Sequence, residues 1–389
     1  QLIMNHIFPK RNLCLIGGGH SHVRVIKQLG MHPIASVKMT LISNDRLTAY
    51  SGMLPGLIAG HYTFNDCHID IGRLCQWAGI QFIRSAVQQI DPLTKKIFCH
   101  AHTPLSYDLL SLNIGSQPAL NDISGALVYG HPVKPIKQFL LNWHRWLDSV
   151  QSSNRTQHIV IIGGGAAGIE ILLAMQYKFR SLAPTRAMFT LVCADQTILH
   201  SHNNRVQEFF KHHLQIKGIT TICGKHVTSI DEHQLILNDH TQLSYDFCAW
   251  AIHAGAQHWP ADSGLQCDNQ GFIMIDQYLR SISHPSIFAT GDCAAFTPTP
   301  LPKAGVYAVR QGSVLANNIV ATLQNRPLLA FKPQKHFLSL LTTGHRQAVA
   351  SRGPLFASGK WVWLWKDYID RAFIERFNPK RPINKSCLD

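Results

Sequence analysis

Apolar residues gather in short runs that alternate with stretches of helical spacing. Residues 13–16 (LCLI) form one such run, and it stops at Gly17, Gly18 and Gly19. A short apolar run ending in glycines reads as a buried strand that enters a turn. Helical spacing follows, and residues 37–43 read as a second strand. The same order returns over residues 158–193, where IVII leads into Gly163, Gly164 and Gly165, a helical stretch runs through Tyr177, and MFTLVC follows. Strand, glycine loop, helix, strand is the opening of a dinucleotide-binding unit, and the chain carries it twice. Further helical spacing lies at 136–150, 204–217, 304–323 and 360–377, with linker-like composition at 115–118, 149–156 and 324–333. The pattern predicts an α/β protein with two Rossmann-like three-layer domains and a small C-terminal α+β domain.

The two loops differ in detail. Gly163, Gly165 and Gly168 complete a GxGxxG pattern. The first glycine permits the tight turn, the second lets backbone approach a pyrophosphate, and the third lets helix pack closely on strand. The helix N-terminus then faces the phosphates. In the first loop, GGGHSH, Gly17 and Gly19 fit but His22 holds the third place, where a larger residue is expected to push the helix slightly outward. The acidic residue that would take the ribose hydroxyls is missing from both units. Ser43 and Cys193 hold its place, with Asp45 and Asp195 two residues on. No arginine stands beside Cys193 to take a 2′-phosphate, which favours NADH over NADPH.

Two other runs end in small-residue turns: Tyr107-Asp108 leads through LLSLNI to Gly115, and Tyr245-Asp246 leads through FCAWAIH to Gly255. Each also reads simply as a buried strand and its loop. The stretch IFATGDCAAF places Gly291 and Asp292 at a strand end, where a carboxylate can bond a polyol. A helix opening near Lys303, Ala304 and Gly305 can stabilise negative charge such as reduced flavin carries near N1 and O2.

Composition narrows the classes. With 389 residues, 46% hydrophobic and 15% charged, the chain suits two or three globular domains rather than disorder. No apolar run approaches the roughly 18 residues that span a bilayer. The ten cysteines form no CxxC pair, which reads as reduced, buried thiols in a cytoplasmic protein. The formal charge of +14 would attract polyanions, but no nucleic-acid-binding signature accompanies it. The pairs His20/His22 and His100/His102 lack a third ligand in sequence reach, so no metal is expected.

Taken in order, IGGGHSH, YSGMLPGLIAG, YDLLSLNIGSQP, IIGGGAAGIE, AGA and FATGDCA resemble the pyridine nucleotide–disulfide oxidoreductase superfamily over about residues 12–320. The chain is most similar to its type II NADH dehydrogenase-like branch. YSGMLPGLIAGHY, KAGVYAVRQG and TGHRQAVASRG…WKDYIDRAF look like the flavoprotein module fused ahead of selenide, water dikinase, although no kinase is expected after Asp389. The resemblance implies an FAD-binding domain in two parts, 1–122 and 258–327, an NAD(P)H-binding domain at 123–257 and a C-terminal domain at 328–389. Gly17, Gly19 and His22 would line the FAD pyrophosphate, with His20 beside them and Ser43 near the ribose. Pro55 and Gly56 would flank the isoalloxazine. Asp292, next to Gly291, would hold the ribityl chain, and Lys303, Ala304, Gly305 and Val306 would face the pyrimidine end. Gly115 and Gly255 would lie at the cofactors, and Gly163, Gly165 and Gly168 would bind NAD(P)H. Glu170 would point at the contact between nicotinamide and flavin, its plainer reading being a carboxylate in a helix first turn.

The departures matter as well. Residues 47–63 hold no cysteine, so electrons are not expected to leave through a thiol, and Cys293 reads as structural. Type II enzymes bind quinone with an AQxAxQ pattern, whose two glutamines are replaced here by Val306 and Arg310. The expected function is an FAD-dependent oxidoreductase that takes hydride from NAD(P)H and passes electrons to a small-molecule acceptor, a quinone or a selenium or sulfur compound. The rival is a non-catalytic FAD-binding redox-sensing or assembly protein. A homodimer and a peripheral contact at the inner face of the membrane are compatible with either. Over residues 360–377, Trp361, Trp365, Tyr368, Ile369, Ala372 and Phe373 recur at helical spacing, with Asp367, Arg371 and Glu375 on the other side. The favoured expectation is that this apolar face packs on the FAD domain, and the sharper one is an interfacial helix.

Overall fold

The computed structural model describes residues 10–120, 122–182, 187–252 and 254–378. The first unit opens with β1 (Arg11–Ile16), α1 (His20–Met31) and β2 (Val37–Ser43). The helices α2 (Leu54–Ala59) and α3 (Ile71–Ala78) follow, then β3 (Gln81–Arg84) and β4 (Leu109–Leu112). These strands pair in parallel in the order β4-β1-β2-β3. Leu13, Leu15, Leu41, Ile42, Leu110 and Leu112 are completely buried, and Ile90, Ile97 and Cys99 of an antiparallel three-stranded sheet share their core.

The second unit repeats the plan. It holds β5 (His131–Pro132), α4 (Ile136–Val150), β6 (Gln157–Ile162), α5 (Ala166–Leu182) and β7 (Ala187–Cys193). It continues with α6 (Asn204–Ile216), β8 (Thr220–Cys223) and β9 (Phe247–Trp250). All pairings are again parallel, in the order β5-β9-β6-β7-β8. The chain then supplies β10 (Ile287–Ala289), which pairs with β4 and completes the first sheet from outside. Two stretches pass between the units. Residues Gln117–Pro118 and Ala254–Gly255 pair antiparallel, so the outgoing and returning chain form one ribbon.

After α7 (Gly305–Leu323), the strands β11 (Ser339–Thr343), β12 (His345–Arg352) and β13 (Leu355–Gly359) make an antiparallel sheet, and α8 (Lys360–Arg376) packs on it. The tip between β11 and β12 docks on the second unit. Gly344 has φ +83°, and a Cβ there would lie 2.3 Å from the Leu173 carbonyl oxygen of α5. His61 Nε2 donates to the Gly344 carbonyl at 2.9 Å.

Helix α8 corrects the reading of its faces. Val362, Trp363, Lys366, Asp370, Phe373 and Ile374 are buried. Of the expected apolar face, Trp361, Trp365, Tyr368 and Ile369 are exposed, together with Leu364. The reason is a charge pair folded into the core: Lys366 Nζ donates to Asp370 Oδ2 at 2.6 Å and to the Gly52 carbonyl at 2.7 Å. Their side chains retain 8% and 5% exposure, and the Tyr50 hydroxyl also bonds Asp370. Hydrophobic periodicity leaves Lys366 and Asp370 off the buried face, on which their pairing places them, while Phe373 is buried as expected.

Removing one partner of such a pair leaves the other charge buried and costs about 3–5 kcal/mol, whereas apolar replacement of both is far milder. Asp370→Ala should therefore lower the unfolding midpoint by several degrees in a thermal melt. The double variant Lys366→Met/Asp370→Leu should recover most of that loss. Equal losses in the two variants would remove the buried pair as the cause.

Candidate active site

The first glycine loop is held against the end of β4 by one side chain. Asn113 is 4% exposed, and its Oδ1 accepts from the Ser21 backbone N–H at 3.2 Å. Its Nδ2 donates to the Thr290 carbonyl at 2.8 Å, and its own N–H donates to the Ile16 carbonyl at 2.9 Å. Gly17 has φ +92°, and a Cβ there would sit 2.4 Å from the Asn113 carbonyl oxygen. A Cβ on Gly19 would sit 2.1 Å from Asn113 Oδ1, and one on Gly291 would sit 2.7 Å from Nδ2. Three glycines singled out in the sequence thus make room for one residue that was not, Gly19 and Gly291 for its carboxamide and Gly17 for its backbone carbonyl. Its only signal was a polar residue near the end of the apolar run 109–114.

His22 takes a role other than lining the pyrophosphate. It is completely buried, with Nδ1 2.6 Å from the Gly17 carbonyl oxygen and Nε2 2.8 Å from Ser111 Oγ. A carbonyl only accepts, so Nδ1 carries the proton and Nε2 accepts from the serine hydroxyl. Burial pulls its pKa down to about 4. In the second loop the corresponding Gly168 would place a Cβ 1.9 Å from the Gly163 carbonyl oxygen. The imidazole replaces that close approach with a hydrogen bond and supports the loop from behind.

The second loop is packed at three positions and open at one. A Cβ on Gly163, where φ is +127°, would meet the Ala251 carbonyl at 2.2 Å, and one on Gly164 would meet Cys193 Sγ at 2.1 Å. Gly165 has nothing within 4 Å. That open glycine lies directly before α5, where a pyrophosphate would sit. Cys193 lies beneath its loop, and Ser43 does the same in the first unit, its Oγ 3.4 Å from a Cβ placed on Gly18. Asp195 faces His200 at 3.0 Å.

The remaining residues lie on α2, on α5, after β10 and at the start of α7. Asp292 Oδ2 accepts from Lys134 Nζ at 2.8 Å and from Ser116 Oγ at 3.4 Å. Lys134 belongs to the second unit and was missed in the sequence. Lys303 Nζ donates to the Ala294 carbonyl at 2.6 Å and lies 3.7 Å from the centre of the Phe272 ring, and burial lowers its pKa. Ala304 caps α7, and the closest atom to a Cβ on its first residue, Gly305, is Ser51 Oγ at 3.6 Å. Val306 packs against the core. Pro55 is buried in the first turn of α2, while Gly56 leaves space for the Tyr62 ring. Glu170 Oε1 accepts from the Thr342 N–H at 2.8 Å and from its hydroxyl at 3.1 Å. Burial pushes its carboxyl above the usual range, while Lys366 and the Thr342 bonds oppose the rise.

Gly115, at φ +70°, is open, whereas Gly255 lies within the interdomain ribbon, 3.3 Å from backbone at Ala119 and Gln117. Cys293 Sγ donates to the Thr290 carbonyl at 3.3 Å, and burial raises its pKa to about 11, so it is a packed thiol rather than a nucleophile. Among the described residues, no group of three or more His, Cys, Asp or Glu could hold a metal ion. The residues present fit two dinucleotides. Gly165 leaves room for one pyrophosphate, the Asn113-held loop shapes the other, and Asp292 offers a carboxylate to hydroxyls.

Comparison with known proteins agrees with this geometry. The model of the pyridine nucleotide-disulphide oxidoreductase family matches residues 11–312. The chain is 23% identical over 319 residues to an NADH dehydrogenase-like protein of Bacillus subtilis, covering 81% of this chain and 84% of that protein. It is 22% identical over 322 residues to an external alternative NAD(P)H-ubiquinone oxidoreductase of potato mitochondria, covering 74% of this chain. It spans only about half of that enzyme, 55% of its length. Among solved structures, the sulfide:quinone oxidoreductase of Aquifex aeolicus shares the fold with a TM-score of 0.81 at 18% identity. That likeness covers 95% of this chain and 93% of the other.

The buried imidazole of His22 makes a pH prediction. Its folded pKa, about 4, lies below the ordinary value of 6.5. The neutral form is favoured in the fold, so its contribution is complete above pH 6.5 and declines as pH falls toward 4. Between pH 7.5 and 5 that amounts to about 2 kcal/mol. Chemical denaturation at the two pH values should show His22→Gln losing about 2 kcal/mol less stability than the parent. An identical loss in both proteins would refute the assignment.

Proposed function

The chain belongs to the pyridine nucleotide-disulphide oxidoreductase family, and on that premise we propose that it is an FAD-dependent oxidoreductase that accepts hydride from NAD(P)H. The observation that carries this reading is the repeated unit, with its two loops differently finished. FAD occupies the first unit, bordered by Gly17, Gly19, Pro55, Asp292 and the α7 N-terminus. NAD(P)H occupies the second, over Gly165. NADH is the favoured donor, since Cys193 is buried beneath the loop and Lys225 nearby is already paired with Asp239 at 2.9 Å.

The flavin supplies the two-electron chemistry when bound. The chain supplies alignment and dryness. Asp292, which Lys134 and Ser116 bond, would hold the ribityl hydroxyls. Glu170, held by Thr342, keeps a carboxyl with a raised pKa where the two units face each other. Lys303 and the α7 N-terminus bring positive potential to the pyrimidine end. The second substrate is a small-molecule acceptor of quinone type, in keeping with the potato relative. Val306 and Arg310 shape its approach. A peripheral membrane contact suits the outward face of α8, where Trp361, Leu364, Trp365 and Tyr368 stand exposed.

Anaerobic mixing with NADH tests the proposal. The purified chain should be yellow, and NADH should bleach it. In Gly165→Val the bleaching rate at low NADH should fall about 100-fold, because a side chain occupies the pyrophosphate position. FAD content and melting temperature should stay at parental values, since a Cβ at this position meets no protein atom within 4 Å. Bound FAD that NADH never bleaches would favour the non-catalytic reading. Parental bleaching in the variant would overturn the placement of NAD(P)H.

A further inference from the structure

A cavity of about 380 Å³ lies where α1, α7 and α8 meet, beside the first glycine loop. Arg24, Arg310, Lys332 and Arg376 line it, and no carboxylate does. Its apolar wall is made by Phe331, Phe373 and Phe377. His20 borders it as well, with its ring 5.5 Å from Tyr50 and 5.7 Å from Phe373. Two nitrogens on this wall are buried and have no hydrogen-bond partner among the described residues: His20 Nε2 and Arg24 Nε.

Such a wall is costly to keep. A buried N–H left without an acceptor costs about 1–3 kcal/mol. Crowded cations add repulsion, and the effect is visible one turn along α1. The Lys27 ammonium is pulled below its usual range first by burial and then by the charges of Arg24 and Arg376. With its proton on Nε2, His20 would donate to a single oxyanion together with Arg24 Nε, and that anion would neutralise the crowd. Guanidinium groups suit it, since they bind oxyanions through charge-assisted, geometrically matched hydrogen bonds. The aromatic wall would take an apolar body attached to that anion.

We propose that this cavity binds an oxyanion of the phosphate class carried on an apolar body, with the anion at His20 and Arg24 and the body against Phe331, Phe373 and Phe377. The site borders the first glycine loop through His20 and the proposed acceptor approach through Arg310, but its readout is binding and does not depend on hydride transfer. Two sources share the chemistry: a soluble phosphate monoester, or the headgroup of an anionic lipid beneath the exposed aromatics of α8.

The test uses the FAD-loaded full chain with saturating NAD⁺, so that both glycine loops are filled. Calorimetric titration with dodecyl phosphate should show binding. Arg24→Gln and the exposed-site variant Arg310→Gln should each weaken it at least about tenfold, the loss of one charge-assisted hydrogen bond, with melting temperature checked for both. If inorganic phosphate competes with dodecyl phosphate, the soluble source is supported. If only phosphatidylglycerol vesicles compete, the lipid source is. The proposal fails if dodecyl phosphate does not bind the parent, or if it binds both variants with parental affinity.

Discussion

The carboxamide of Asn113 decides where the first nucleotide loop can be. It reaches the loop through the Ser21 N–H, and it reaches the strand after the second unit through the Thr290 carbonyl. Segments almost three hundred residues apart in the chain are thereby set to within one side chain of each other. Nothing larger than hydrogen fits at Gly17, Gly19 or Gly291 while Asn113 stays in place. The position of Asp292, next to Gly291, follows from the same contact. A buried amide with its donor and acceptor both used is stiff, because releasing either leaves a polar group unpaired.

The two units solve one packing problem in two ways. In the second, helix and strand meet through Gly168, and the loop leaves Gly165 facing open space. In the first, His22 is too large for that approach, and its ring bridges the Gly17 carbonyl and Ser111 instead. The cost is a buried imidazole that must remain neutral. The gain is a loop fixed from below as well as from the side. A tightly built site suits a cofactor that stays, and a more open one suits a substrate that exchanges. The C-terminal sheet adds a third constraint, since its tip at Gly344 sits on α5 and its Thr342 holds Glu170. The carboxyl at the junction is thus positioned by residues far along the chain.

What could be read from the sequence was local. Parallel strands buried on both faces appear as uninterrupted apolar runs, and glycines mark the loops, so both units and their order were legible. The discontinuous first sheet, closed by β10, was implied only through family resemblance. Asn113, Lys134 and Thr342 escaped because each works through a partner more than a hundred residues away. Gly255 was read as lying at a cofactor, and the structure places it in the ribbon between the units. The buried face of α8 was misplaced for a related reason. Periodicity treats Lys366 and Asp370 as solvent-facing, and only their mutual pairing in the core shows otherwise. Patterning finds elements well, but it does not detect charges that neutralise each other inside.

The central claim is that one folding unit, used twice, holds two different dinucleotides at once. Equilibrium dialysis of the FAD-loaded chain against labelled NAD⁺, with flavin absorbance read in parallel, tests it most directly. The account predicts one FAD and one NAD⁺ per chain, with excess NAD⁺ leaving the flavin in place. Displacement of FAD by NAD⁺, or FAD-loaded protein that binds no NAD⁺, would contradict it.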